Sequence, residues 1–173
     1  SRGELGVELV SPASWFTQTV SLPARLGFAG LVGQPLRPAA ESVLGTAAGQ
    51  TLLAFWDSRQ GRYSLHPDFG ALNQSAGCFV RPAAAISRSH SARLDYNEPQ
   101  LVSLQPGWNG VVAGSRTAVT DTLLQAATGA EALSTYAEAK GTILGTTLFK
   151  FTPDPLNPDM GTFEPASSFA PGQ

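Results

Sequence analysis

Two histidines, three tryptophans, one cysteine and one oxygen-rich loop are the features of this chain whose chemistry merits a first look. His66 follows a strand-like run and precedes Pro67, and His90 sits within Ser87-Arg88-Ser89-His90-Ser91. Neither has Cys, Asp or Glu at metal-ligand spacing, so both read as solvated loop histidines. Asp154, Asn157 and Asp159, on a loop closed by Gly161, offer hard oxygens of the kind Ca²⁺ takes. Their spacing does not match a calcium loop, and Pro155, Pro158 and Gly161 suit an ordinary turn. Trp15, Trp56 and Trp108 could build a stacking platform for sugar rings, but each lies in or beside a strand-like run, where core packing is the plainer expectation.

Catalytic words are missing. Gly114-Ser115-Arg116 is not a nucleophile elbow. Neither a Gly-x-Gly-x-x-Gly spacing nor a Gly-Lys-Ser/Thr word occurs. Cys78 is the single cysteine, which excludes an internal disulfide and a Cys-based zinc site; within Gly77-Cys78-Phe79-Val80 it reads as a buried thiol. Asn73-Gln74-Ser75 fits the N-glycosylation triplet. The chain is expected to be no enzyme and to need no cofactor.

The elements that position these residues follow from composition. Gly (18) and Pro (13) are abundant in the 173 residues, which favours short elements joined by tight turns. Charged residues make up 14%, well below the roughly 25% of an ordinary soluble domain. That low charge repels other copies weakly and suits assembly or an extracellular setting. The net charge of −2 and the absence of a basic run argue against a nucleic-acid partner. No apolar stretch approaches the ~18 residues of a membrane span. The chain starts at Ser1 with no signal peptide, which fits a secreted product with its leader removed or a piece of a longer protein.

Short β-forming runs bounded by Gly, Pro, Asn or Asp predict strands at 7–10, 16–22, 27–32, 52–56, 63–65, 78–80, 101–104, 110–112, 133–137, 142–144, 147–151 and 162–163. Residues 53–65 read as a hairpin whose turn starts with Asp57 and ends with Gly61. Short helices are expected at 38–44, behind Pro38, and at 120–127, stopped by Gly129.

The chain also resembles itself. Val20-Ser21-Leu22 recurs as Val102-Ser103-Leu104, and the 27–32 run as 107–112. A short helix follows each. Thr51–Phe55 then matches Thr147–Phe151, and Gly61-Arg62-Tyr63 matches Gly161-Thr162-Phe163. An added hairpin is expected at 132–145, turning near Lys140-Gly141. The expected fold is all-β: two duplicated β-sandwich- or barrel-like halves, 15–95 and 96–173, with short helices, preceded by an N-terminal strand and linker at 1–14.

The first half closes on the strand 77–82. The second ends at Gln173, where its matching strand should begin. Gly6-Val7-Glu8-Leu9-Val10-Ser11-Pro12 resembles that closing strand. An open sheet edge exposes unpaired backbone groups that another strand can fill. Leu5, Val7, Leu9 and Val10 are the expected donor residues, and Phe163, Phe169 and Gln173 mark the expected acceptor edge. Filled within one chain, the strand closes the molecule. Filled by a neighbour, it builds a head-to-tail homopolymer.

At Pro106-Gly107-Trp108-Asn109 the sequence resembles a module of bacterial secreted and cell-surface proteins with a Gly-Trp-Asn opening strand. Gly27-Phe28-Ala29 is a degenerate second opening, and Gly77-Cys78-Phe79-Val80 a closing strand. The resemblance implies an extracellular β-domain with a structural or adhesive role, here in two tandem copies. Two functions are expected: a pilus-like filament subunit assembled by donor-strand exchange, or a carbohydrate-binding adhesion module closed within one chain, with surface polysaccharide as partner.

Overall fold

The computed structural model describes residues 15–68, 71–72, 77–94, 102–114, 116–129 and 132–172. The donor residues Leu5, Val7, Leu9 and Val10, the acceptor Gln173 and the triplet at 73–75 lie outside them.

The protein is all-β, with antiparallel pairing between its strands and, among the described residues, only two short α-helices. Residues 15–94 form two sheets. The first has the order β1 (Trp15–Leu22), β7 (Ile86–Arg93), β3 (Gln34–Pro35). The second has the order β2 (Gly27–Ala29), β6 (Cys78–Pro82), β4 (Thr51–Asp57), β5 (Arg62–Leu65). Their apolar faces meet in one core: Val20 and Leu22 from β1 and Ile86 from β7 pack with Leu53, Cys78 and Val80. Helix α1 (Ala40–Leu44) covers that core with Val43 and Leu44. The 40–44 helix therefore forms where Pro38 predicts one, and a 3-10 turn, Gly45–Gln50, leads from it into β4.

The β4–β5 turn forms as its residues dictate. Asp57 Oδ1 accepts from the amides of Arg59 (2.9 Å) and Gln60 (3.2 Å), and Gly61 takes φ 61°. Strand β7 departs from expectation. Its Ser-Arg-Ser-His-Ser stretch lacks an apolar signal, yet it pairs with β1 over eight residues, from Leu22↔Ile86 to Trp15↔Arg93. Tertiary pairing overrides weak local propensity there. His90 is thus a strand residue rather than a loop residue.

The remaining strands form two-stranded sheets: β8 (Val119–Thr120) pairs with β13 (Ser168–Phe169), β9 (Gln125–Ala126) with β10 (Ser134–Thr135), and β11 (Phe149–Pro153) with β12 (Gly161–Pro165). The 120–127 helix is a three-residue 3-10 turn, Asp121–Leu123, followed by β9. Of the strand expected at 133–137 only β10 (Ser134–Thr135) forms, and helix α2 (Tyr136–Ala139) follows it. Thr135 and Glu138 form a capping box, in which the Thr135 amide and hydroxyl donate to Glu138 Oε2 at 2.9 and 2.8 Å. The capped turn outcompetes the β-forming residues. Residues 102–104 and 110–112 form no named strand.

Hairpin β11–β12 lies over the face of the four-stranded sheet that points away from the core. Strand alternation puts Phe28, Phe79, Arg81, Trp56, Tyr63 and Leu65 on that face. Phe79 meets Phe151 of β11 edge-on at 5.2 Å. Hydrogen bonding fastens the hairpin's loop to the sheet: Leu26 donates to the Pro158 carbonyl, and Arg81 pairs with Asp159.

Candidate functional site

The most developed surface feature is a set of aromatic rings where hairpin β11–β12 meets the four-stranded sheet. Phe79 is its hub, with ring contacts to Phe28 (5.3 Å), Tyr63 (5.9 Å), Phe151 (5.2 Å) and Phe163 (6.1 Å). Phe151 is buried beneath the hairpin. Phe163 and Phe149 share its face of the hairpin but lie at the rim. Trp108 joins them, its ring 5.6 Å from Phe149 and 6.4 Å from Phe163. These outer rings remain open to solvent: Trp108 is 66% exposed, Phe163 55%, Tyr63 49% and Phe149 38%.

Trp108 is presented by a braced loop. Gly107 takes φ 93°, a conformation that favours glycine. Asn109 then ties the loop to itself: its Nδ2 donates to the carbonyls of Gln105 (2.7 Å) and Gly107 (2.9 Å), and its Oδ1 accepts from the Gln105 amide (2.9 Å). The Trp108 carbonyl accepts from Trp56 Nε1 at 2.9 Å and from Ser58 Oγ at 2.7 Å. The Gly-Trp-Asn word lies outside the named strands, with its Gly107 carbonyl held by Asn109 and its Trp108 carbonyl by Trp56 and Ser58.

Just beyond, Val112 is buried against two glycines. A Cβ on Gly30 would stand 2.4 Å from Val112 Cγ2, and one on Gly77 2.3 Å from Phe28 Cζ. Both positions need glycine for this close approach. Gly172 closes the same corner, donating to Ala113 O at 2.8 Å while its carbonyl accepts from the Gly30 amide at 2.9 Å.

His66 Nε2 lies 3.1 Å from Glu41 Oε1. His90 lies in the other sheet; burial lowers its pKa, and its Nδ1 has no hydrogen-bond partner among the described residues. The two are not brought together. Burial pushes the Cys78 thiol up to about 12, which suppresses the nucleophilic thiolate. Asp154 Oδ1 accepts from the amides of Leu156 (2.7 Å) and Asn157 (3.1 Å), Asn157 Oδ1 from the Asp159 amide (3.0 Å), and Asp159 holds Arg81. These oxygens serve a turn and an ion pair, and a guanidinium stands where a cation would approach. Among the described residues no group of three or more His, Cys, Asp or Glu is arranged to hold a metal.

Phe163 and Phe169 fall in different sheets: Phe163 pairs with Phe151, and Phe169 with Val119. The expectation that the tryptophans pack in the core is corrected for Trp108 and for Trp15, which is 39% exposed. Trp15 borders a separate open recess of about 430 Å³ with Phe16, Thr17, Leu36 and Ser91. Sequence reasoning missed Phe79, Phe149, Phe151 and Ser58. The alternation Phe149-Lys150-Phe151 is the signal that could have found the hairpin's aromatic face. No helix among the described residues is long and apolar enough to cross a membrane. No family model, curated protein or solved structure matches the chain.

Proposed function

We propose that this protein is a non-enzymatic, extracellular binding module that holds a polysaccharide by stacking its sugar rings on Trp108, Phe163, Phe149 and Tyr63. The observation that carries this reading is the contrast at Trp108, whose ring is largely exposed while its backbone carbonyl is fixed by Trp56 and Ser58. An exposed aromatic group leaves unused roughly 25 cal/mol per Å² of burial. A ring held outward on a braced turn loses little further entropy when a ligand covers it. Contiguous exposed apolar surface of this kind marks binding sites. The test is titration with soluble polysaccharides, followed by tryptophan fluorescence. Binding that is lost in Trp108→Ala, with an unchanged thermal midpoint, supports the reading. Retention of full binding in that variant rejects it.

The filament reading rests on a different observation. Among the described residues, β11 and β12 pair only with each other, so the outer edges of this hairpin offer backbone groups to a further strand. Residues Leu5, Val7, Leu9 and Val10 of another copy are its proposed donor. Electron microscopy of the full chain and of a chain lacking residues 1–10 tests it. Fibres formed equally by both would exclude strand donation.

A further inference from the structure

We infer that the ligand of the aromatic platform is a single chain of a neutral, equatorially linked polysaccharide, the linkage class of soluble cellulose derivatives and glucomannans. The inference rests on the sugar-stacking reading above and adds charge and linkage to it.

Among the described residues, the charged side chains that the hairpin and the sheet strands carry are turned from the rings or paired. Along the hairpin, Phe149, Phe151 and Phe163 share one face, and Lys150, Thr152 and Glu164 alternate onto the other. Lys150 and Glu164 are direct cross-strand neighbours there, and Glu164 Oε2 accepts from Thr152 Oγ1 at 2.7 Å. Arg62 lies on the sheet face opposite Tyr63 and donates to Gln60 Oε1 at 2.6 Å. Arg81 does share the ring face, but Asp159 neutralises it. A uronate or sulfated chain would therefore desolvate its anions over these rings with Arg81 already paired and Lys150 and Arg62 on the far faces.

Ring geometry sets the linkage. Trp108 and Phe163 are 6.4 Å apart with planes 34° from parallel, and Trp108 and Phe149 are 5.6 Å apart at 54°. These separations are on the scale of one sugar ring to the next in an extended chain. In an equatorially linked chain each glucose ring presents axial C–H groups on both faces, and each mannose ring on one, so consecutive rings can stack while the chain twists. An axially linked chain coils away from such a row. The tilts also disfavour a flat crystalline surface, which requires coplanar rings.

The experiment is native affinity electrophoresis of the full chain through gels containing hydroxyethylcellulose, glucomannan, amylose or polygalacturonate. The expected result is retardation by the first two alone, weakened about tenfold in both Phe163→Ala and Trp108→Ala. Circular dichroism of each variant checks that it is folded, and Phe163→Tyr, which keeps the ring, should retain retardation. Equal or stronger retardation by amylose or polygalacturonate overturns the linkage and charge assignment while leaving the stacking reading in place. No retardation of the folded wild-type chain in any gel overturns both.

Discussion

The indole N–H of Trp56 donates to the backbone carbonyl of Trp108 at 2.9 Å, joining residues 52 positions apart in the chain. One tryptophan thereby sets the direction in which another faces solvent. Ser58 reinforces the link from the start of the β4–β5 turn, donating to the same carbonyl at 2.7 Å.

Removing these donors should loosen Trp108 without unfolding the protein. A typical hydrogen bond contributes a net ~0.5–1.5 kcal/mol, so Ser58→Ala should lower unfolding stability by about 1 kcal/mol. Urea denaturation reads this value. Polysaccharide affinity should fall as well, and Ser58→Thr, which keeps the hydroxyl, should restore it. An affinity that stays unchanged in Ser58→Ala would show that the brace does not position the ring.

Gly77 admits the Phe28 ring to a distance that no side chain there would permit. Gly77→Ala should destabilise by roughly 1–3 kcal/mol through overpacking. Gly49→Ala is the comparison, because a Cβ at that position meets nothing within 4 Å. Paired thermal melts of the two variants would measure the contrast. A Gly77→Ala midpoint equal to wild type would mean that this corner repacks at no cost.

Cys78 is buried in the core, with its thiol raised to about 12. The native protein at pH 8 should react with a disulfide reagent far more slowly than the protein in urea. Timed absorbance after reagent addition gives both rates. Rapid labelling of the native chain would contradict the burial of β6.

His90 makes stability depend on pH with a definite sign. Burial lowers its folded pKa below the ordinary histidine value of 6.5, so the folded state resists protonation. Its contribution is complete above the unfolded pKa. As pH falls below about 6.5 the unfolded chain binds a proton first, and stability declines until the lower, folded pKa is passed. Urea midpoints at pH 7.5 and 5.5 should therefore differ less in His90→Asn than in wild type. An identical pH slope in the two proteins would assign the effect to other groups.

Local instructions in the sequence determined a good part of this protein. Asp57 and Gly61 specify the β4–β5 turn, Pro38 heralds α1, and the apolar words of β4, β6 and β11 announce strands. The capping box of Thr135 and Glu138 is a local signal too, set among β-forming neighbours. The all-β class follows from such short-range rules, because turn chemistry and strand alternation act over a few residues.

Tertiary structure decided the rest. Strand β7 exists because β1 and β3 pair with it on either side, and its own Ser-Arg-Ser-His stretch carries no signal for it. The exposure of Trp108 is likewise a long-range outcome, since hydrogen bonds from Trp56 and Ser58 fix its backbone and Phe149 and Phe163 flank its ring. An aromatic residue in an apolar word has the same local character whether it ends up in the core or on the surface. Only the packing of distant segments settles which of its faces meets water.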